Sequence, residues 1–233
     1  PLVWAAFCFQ KTMNLVQVTH KLKLAPSRLF GDLIDYKVAK GDIPPITASE
    51  YEYLWAGNGI FVRAQTAVWE AQLRIASFYT SGLTKAKCYF KWTGPKIPAE
   101  LLQEIYAGAR AACGPKFEHP IETMVRIVWE PNLQRYTVVR PPQNGNYSMV
   151  TTNDVGDVNT IVEIHSHHEM GTYFSRVDDD DHTGKRIYGV IGNFRREKPA
   201  LLLRFGIHGH RCEIPISDIF EDQAVFKDAF VSN

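Results

Sequence analysis

Apolar positions along the chain follow two periods. Leu15, Val16, Val18, Leu22 and Leu24, then the runs 60–64, 120–129, 136–140, 161–164, 185–194, 200–207 and 211–216, are short and rich in β-branched or aromatic residues. They predict strands. Segment 66–79 places Val68, Trp69, Leu73, Ile75 and Ala76 on one helical face, and segment 98–109 does the same with Leu101, Leu102, Ile105, Tyr106 and Ala109. Both predict helices. Pro98 suits a first helical turn and Gly114-Pro115 a stop. A last short helix is predicted after a Ser217-Asp218 cap, with Ile219, Val225, Phe226 and Phe230 as its apolar residues. Gly57-Asn58-Gly59, Pro131-Asn132 and His208-Gly209-His210 supply turns, and Pro44-Pro45 and 141–146 supply loops.

These elements imply an α/β fold, a mixed β-sheet flanked by helices, of about 140 residues. Two prolines and a glycine within 91–98 interrupt both periods and mark a linker. The division expected is an N-terminal α+β extension over 1–95, suited to partner or substrate recognition, and a second domain over 96–233. Tyr51, Tyr53, Trp55 and Trp69 are expected in the core; exposed, they would be a docking surface for a protein.

Composition narrows the class. With 45% apolar residues, 22% charged, and 13 Phe, 10 Tyr and 5 Trp, the chain is globular and not disordered. A net charge of +1 provides no field for nucleic acid or an anionic membrane, so neither is expected as a partner. Cys8, Cys88, Cys113 and Cys212 are too scattered for a disulfide scaffold or a CxxC zinc module, which fits thiols in a reducing compartment. The opening apolar run 2–9 is too short to span a bilayer and has no basic segment before it. A cytoplasmic protein is expected.

Candidate chemistry concentrates in one stretch. At the end of strand 161–164, His165 and His167 stand two residues apart, which on a strand puts them on one face. Ser175 follows eight residues after His167 and Asp178 three further, so in a helix hydroxyl and carboxylate share a face. Two imidazoles and one carboxylate are what zinc takes when a fourth position is left for water. At ordinary residue usage this spacing arises by chance in on the order of one chain in a few thousand. Asp179, Asp180 and Asp181 could also reach a cation or form a solvated acidic rim. His208 and His210 repeat the histidine spacing without a Ser or Asp at the matching offsets, and read as a turn. Cys212 beside His210 as a nucleophile is less favoured than a structural role.

The His-x-His, Ser and Asp pattern resembles the signature of the JAMM metalloproteases, zinc-dependent MPN-domain enzymes that remove ubiquitin and ubiquitin-like proteins from conjugates. The resemblance implies an α/β/α sandwich of cytidine-deaminase-like kind over about residues 96–233, with Zn²⁺ on His165, His167 and Asp178. It implies that Ser175 helps hold the oxyanion and that a Glu on an earlier strand is general base. Glu122, in a "proline, any, Glu" context 43 residues before His165, occupies that position; Glu118 and Glu130 are the competing candidates. His168 stands where the family often has proline. The N-terminal extension and short core are most similar to bacterial members of ubiquitin-like and ThiF-containing cassettes, the subfamily called PRTRC system protein A. The implied reaction is hydrolysis of the peptide or isopeptide bond after the C-terminus of a ubiquitin-like protein. Partners implied are that protein or its conjugate, with E1/ThiF-like and E2-like cassette proteins. The alternatives are a non-catalytic MPN-type scaffold and a zinc hydrolase of small amide conjugates.

Overall fold

The structure, a computed structural model, describes residues 33–154, 156 and 158–230. The strand expected around Leu15 to Leu24 and the apolar run 2–9 lie outside the described residues. The chain divides into two compact units. One holds the described residues up to Gln65 with Arg74–Cys88, and the other Thr66–Leu73 with the described residues from Tyr89 onward. No helix among the described residues is long and apolar enough to cross a membrane.

In the first unit β1 (Ile34–Val38) runs parallel to β2 (Tyr51–Ala56), which pairs antiparallel with β3 (Gly59–Gln65) across the Gly57-Asn58 turn. Alternation buries Leu54, Ala56 and Phe61 with Ala39 and Ala86. Arg63 and Glu52 form a buried ion pair here. Arg63 also donates to Pro44 O at 2.7 Å, and Glu52 accepts from the Ala48 N–H at 3.3 Å, so the pair fixes the proline loop. Trp55 is 47% exposed, so this member of the aromatic cluster is not core.

The second unit begins with a correction. Segment 66–79 is not a helix: β4 (Trp69–Ala76) is a strand whose first half pairs antiparallel with β5 (Tyr89–Trp92). Its Ala, Gln, Leu and Arg favour helix, but cross-strand pairing decides the state of so short a segment. Thr66 Oγ1 accepts from the Val68 and Trp69 N–H groups and turns the chain into the strand. Trp69 and Phe90 then lie against Phe205, at ring separations of 6.4 and 5.5 Å.

Helix α1 (Ala99–Ala111) forms where predicted, with Leu102, Ile105 and Ala109 buried. The main sheet contains β6 (Met124–Glu130), β7 (Arg135–Val139), β10 (Thr160–Ser166), β11 (Arg186–Gly192), β12 (Ala200–Ile207), β13 (His210–Ile214) and β14 (Lys227–Asp228). Its order is β13-β12-β11-β10-β6-β7, with β14 beside β12; only β10–β11 and β12–β14 are parallel. Between β7 and β10 lies a small hairpin, β8 (Asn144–Gly145) with β9 (Val150–Thr151). The β12–β13 turn has φ of 46° at His208 and 87° at Gly209, the left-handed pair a two-residue hairpin turn needs, so this second histidine pair is a turn.

One face of the sheet packs on α1, where Ile105 and Ala109 meet Val125, Ile164 and Ile191. The opposite face carries a directly paired row, Arg126, Glu163, Tyr188, Arg204 and Glu213, one residue from each of five strands. Arg126 and Arg186 both bond Glu163 Oε2, at 2.9 and 3.2 Å. Among the described residues, the only helix on this side is the six-residue α2 (Arg176–Asp181). The predicted terminal helix is also absent: Ile216–Asp218 is a single 3₁₀ turn whose first N–H donates to the Asp228 carboxylate at 2.9 Å. Among the described residues the fold is thus α/β and mixed, but strand-dominated, with a long helix on one face alone.

Candidate metal centre

Strand β10 delivers its histidines to the edge of this polar face because the alternation that buries Ile164 beneath α1 turns His165 the other way. The Nε2 atoms of His165 and His167 lie 3.1 Å apart, and His165 Nε2 is 3.2 Å from Asp178 Oδ1. The three donor atoms lie within 4.8 Å of one another, and among the described residues no other such group is disposed to hold a metal ion. His167 Nδ1 is 3.2 Å from the Gly171 carbonyl, which accepts its proton and leaves Nε2 with a free lone pair. Burial keeps both imidazoles neutral, pushing His165 down to about 4 and lowering His167 as well. Neutral imidazole is the form that binds metal.

Asp178 is presented by a capping box at the start of α2. The Ser175 N–H donates to Asp178 Oδ2 at 2.6 Å and the Asp178 N–H donates to Ser175 Oγ at 3.2 Å. One carboxylate oxygen is therefore committed to the cap and Oδ1 is left facing the imidazoles. Burial acts to raise this carboxyl, but His165 and the Ser175 bonds outweigh it and hold it low and ionised. Ser175 Oγ accepts one bond and keeps its own proton to donate.

Glu122 lies just before β6 with its Oε1 buried, without a hydrogen-bond partner, 3.9 Å from His167 Nε2. Burial, helped by repulsion from Asp178, raises its carboxyl to about 7. Its backbone is pinned from two sides. The Glu122 N–H donates to Asn146 O at 2.8 Å, and at the next residue Thr123 O accepts from the Ser166 N–H at 2.9 Å. A Cβ on Gly145 would come within 2.1 Å of the Glu122 carbonyl oxygen, so the β8–β9 hairpin reaches this close only because it has glycine there. The competing glutamates are elsewhere: Glu118 is exposed, and Glu130 pairs with Arg135 at the far end of β6.

Several neighbours were not legible as site residues. Asp179 is not a solvated rim residue; it pairs with Arg204 and Arg211, while Asp180 and Asp181 are exposed. His182 is buried, stacked on Tyr188 at 3.8 Å, with Arg204 donating to its Nδ1 at 2.8 Å. Burial and that guanidinium lower its pKa to about 3. His168, in the place of the family's proline, has φ of 38°, closed to proline, and donates from Nε2 to Tyr147 O at 2.7 Å. The sequence signal for Arg204 is a lone cation in an otherwise apolar eight-residue strand.

Residues 98–204 match the family model described as prokaryotic homologs of the JAB domain. The match supports a JAB-type domain in that stretch, which runs from the residue before α1 through Glu122 and the His165, His167 and Asp178 group to Arg204. Among curated proteins, none matches the chain.

Two imidazole Nε2 atoms, one ionised carboxylate oxygen and a buried carboxylate oxygen without a hydrogen-bond partner beside them fit a divalent metal of the zinc type.

Proposed function

We propose that the protein is a JAMM-type zinc metalloprotease that hydrolyses the peptide or isopeptide bond after the C-terminus of a bacterial ubiquitin-like protein. The observation that carries this reading is Glu122: a buried carboxylate with a partnerless oxygen, 3.9 Å from His167 Nε2, beside a complete set of three metal donors. Zinc held by His165, His167 and Asp178 supplies Lewis acidity, which acidifies water and polarises a carbonyl. Glu122 Oε1 takes the proton of the attacking water and hands it to the leaving nitrogen, a Lys Nζ in an isopeptide. Ser175 Oγ–H donates toward the oxygen that gains charge as the carbonyl becomes tetrahedral. The buried imidazoles hold their donor atoms facing inward. The PRTRC-type resemblance supports a ubiquitin-like substrate and cassette partners, the conjugate and E1/ThiF-like and E2-like proteins, in the cytoplasm; residues 1–95 are assigned to its recognition.

Elemental analysis of the purified protein beside His165→Ala and Asp178→Ala tests the centre. One zinc per chain is expected in the parent and none in either variant. Glu122→Gln is expected to keep its zinc and to lose cleavage of a ubiquitin-like fusion. A folded parent that takes up no added Zn²⁺ would instead indicate an MPN-type scaffold, and an active Glu122→Gln would remove Glu122 from the chemistry.

A further inference from the structure

Helix α2 has only six residues, none of them buried, so it has no apolar anchor of its own. Its capping box fixes Asp178 relative to Ser175, yet both belong to the same short segment. Something must hold that segment against the sheet if Asp178 Oδ1 is to stay beside His165. The side chain placed to do so comes from β12, two strands away from β10.

Arg204 is 6% exposed, and its polar and ring contacts go to the segment that carries Asp178 or to the residue that ends it. Its Nη1 donates to Asp179 Oδ1 at 2.6 Å, and its Nη2 donates to Asp178 O at 3.3 Å and to His182 Nδ1 at 2.8 Å. The guanidinium lies over the Phe174 ring, 3.7 Å from its centroid. His182, which follows the helix, is clamped in turn by stacking on Tyr188, whose hydroxyl accepts from the Gly184 N–H at 2.9 Å. Charge-assisted bonds at both ends of a helix with no buried face fix its position along the sheet.

We propose that Arg204 is a positioning residue for the metal centre: it locks α2 onto β12 and so holds Asp178 Oδ1 at the site formed with His165 and His167. This rests on the reading of that site as a zinc centre. Arg204 touches neither metal nor substrate. Groups of this kind typically change metal affinity by about 10- to 100-fold when lost. Arg126 provides the matched control. It is equally buried in the same cross-strand row, but it bonds Glu163 and Asp154 and not α2.

The experiment measures zinc affinity by competition with a chromogenic chelator, and thermal unfolding of the metal-free protein, for the parent, Arg204→Met and Arg126→Met. Arg204→Met is expected to bind zinc about 10- to 100-fold more weakly, whereas Arg126→Met, though destabilised, keeps the parent's affinity. Parental affinity in Arg204→Met, or equal loss in both variants, would overturn the proposal. Should Arg204→Met not fold, Asp179→Asn beside Arg211→Met decides, because Asp179 pairs with both arginines: weaker zinc binding in Asp179→Asn but not in Arg211→Met supports the proposal, and unchanged binding in Asp179→Asn, or equal loss in both, overturns it. A parent with no zinc affinity would sink the metal reading and this inference together. A zinc-binding parent beside an unaffected Arg204→Met sinks the inference alone.

Discussion

Glu122 is held in the metal-free protein as a group that prefers its proton. Its carboxyl titrates near 7 when folded and near 4.5 when free, because ionising it means burying a charge next to Asp178. Between those values the folded state holds more protons than the unfolded, so its contribution to stability is complete below about pH 4.5 and lost as pH rises to 7. At about 1.4 kcal/mol per unit, the loss is on the order of 3 kcal/mol. Glu122→Gln cannot ionise and escapes it. In urea unfolding of the metal-free proteins, the variant is expected to gain on the parent by on the order of 3 kcal/mol between about pH 4.5 and pH 8; a gap that does not widen would show that the carboxyl ionises freely. At this scale the sequence was informative where geometry is local. His165, His167, Ser175 and Asp178 fall within one strand, one loop and one helical turn, so their spacing nearly specifies their meeting. Glu122 and Arg204 meet the site through strand pairing, and no spacing rule reports that; Glu122 was found through the family resemblance and Arg204 was missed.

Among the elements, α2 depends most on individual bonds. Without buried residues, it rests on its cap and its two arginines. Ser175→Ala is expected to cost about 1 kcal/mol in the thermal unfolding of the metal-free protein, the usual value of an N-cap hydroxyl. Ser175→Thr, which retains the hydroxyl, is expected to lose little, and a harmless Ser175→Ala would show that the capping box does not hold Asp178 in solution. The long periodic helix α1 and the hairpin turn at His208-Gly209 were legible because pattern and local chemistry agree there. Segment 66–79 and the chain after Ser217 were not. The first has helix-forming residues overruled by pairing with β5, and the second has a cap-like Ser-Asp pair followed by chain that is bound by Asp228 and β12 instead.

The whole molecule is not divided by one cut. Residues 66–73 belong to the second unit although 74–88 belong to the first, and Trp69, fully buried, packs against Phe205 of the main sheet. Trp69→Ala in the full chain is therefore expected to destabilise the second unit by about 3–5 kcal/mol, read as a lower urea midpoint for unfolding of that unit. A change under about 1 kcal/mol would show that the β4–β5 hairpin contributes little there. Composition and element order gave the α/β class, but a linker inferred from prolines could not reveal a hairpin contributed from the other side of it. The cross-strand row from Arg126 to Glu213 carries a last consequence, for how such a chain can change length. Insertion of one residue within β10, β11 or β12 would rotate every later side chain of that strand through the sheet, sending Glu163, Tyr188 or Arg204 under the apolar layer and Ile164 or Leu203 out of it. A single-residue insertion scan should therefore leave these strands gap-free, with tolerated insertions gathered at turns such as 131–134 and 208–209.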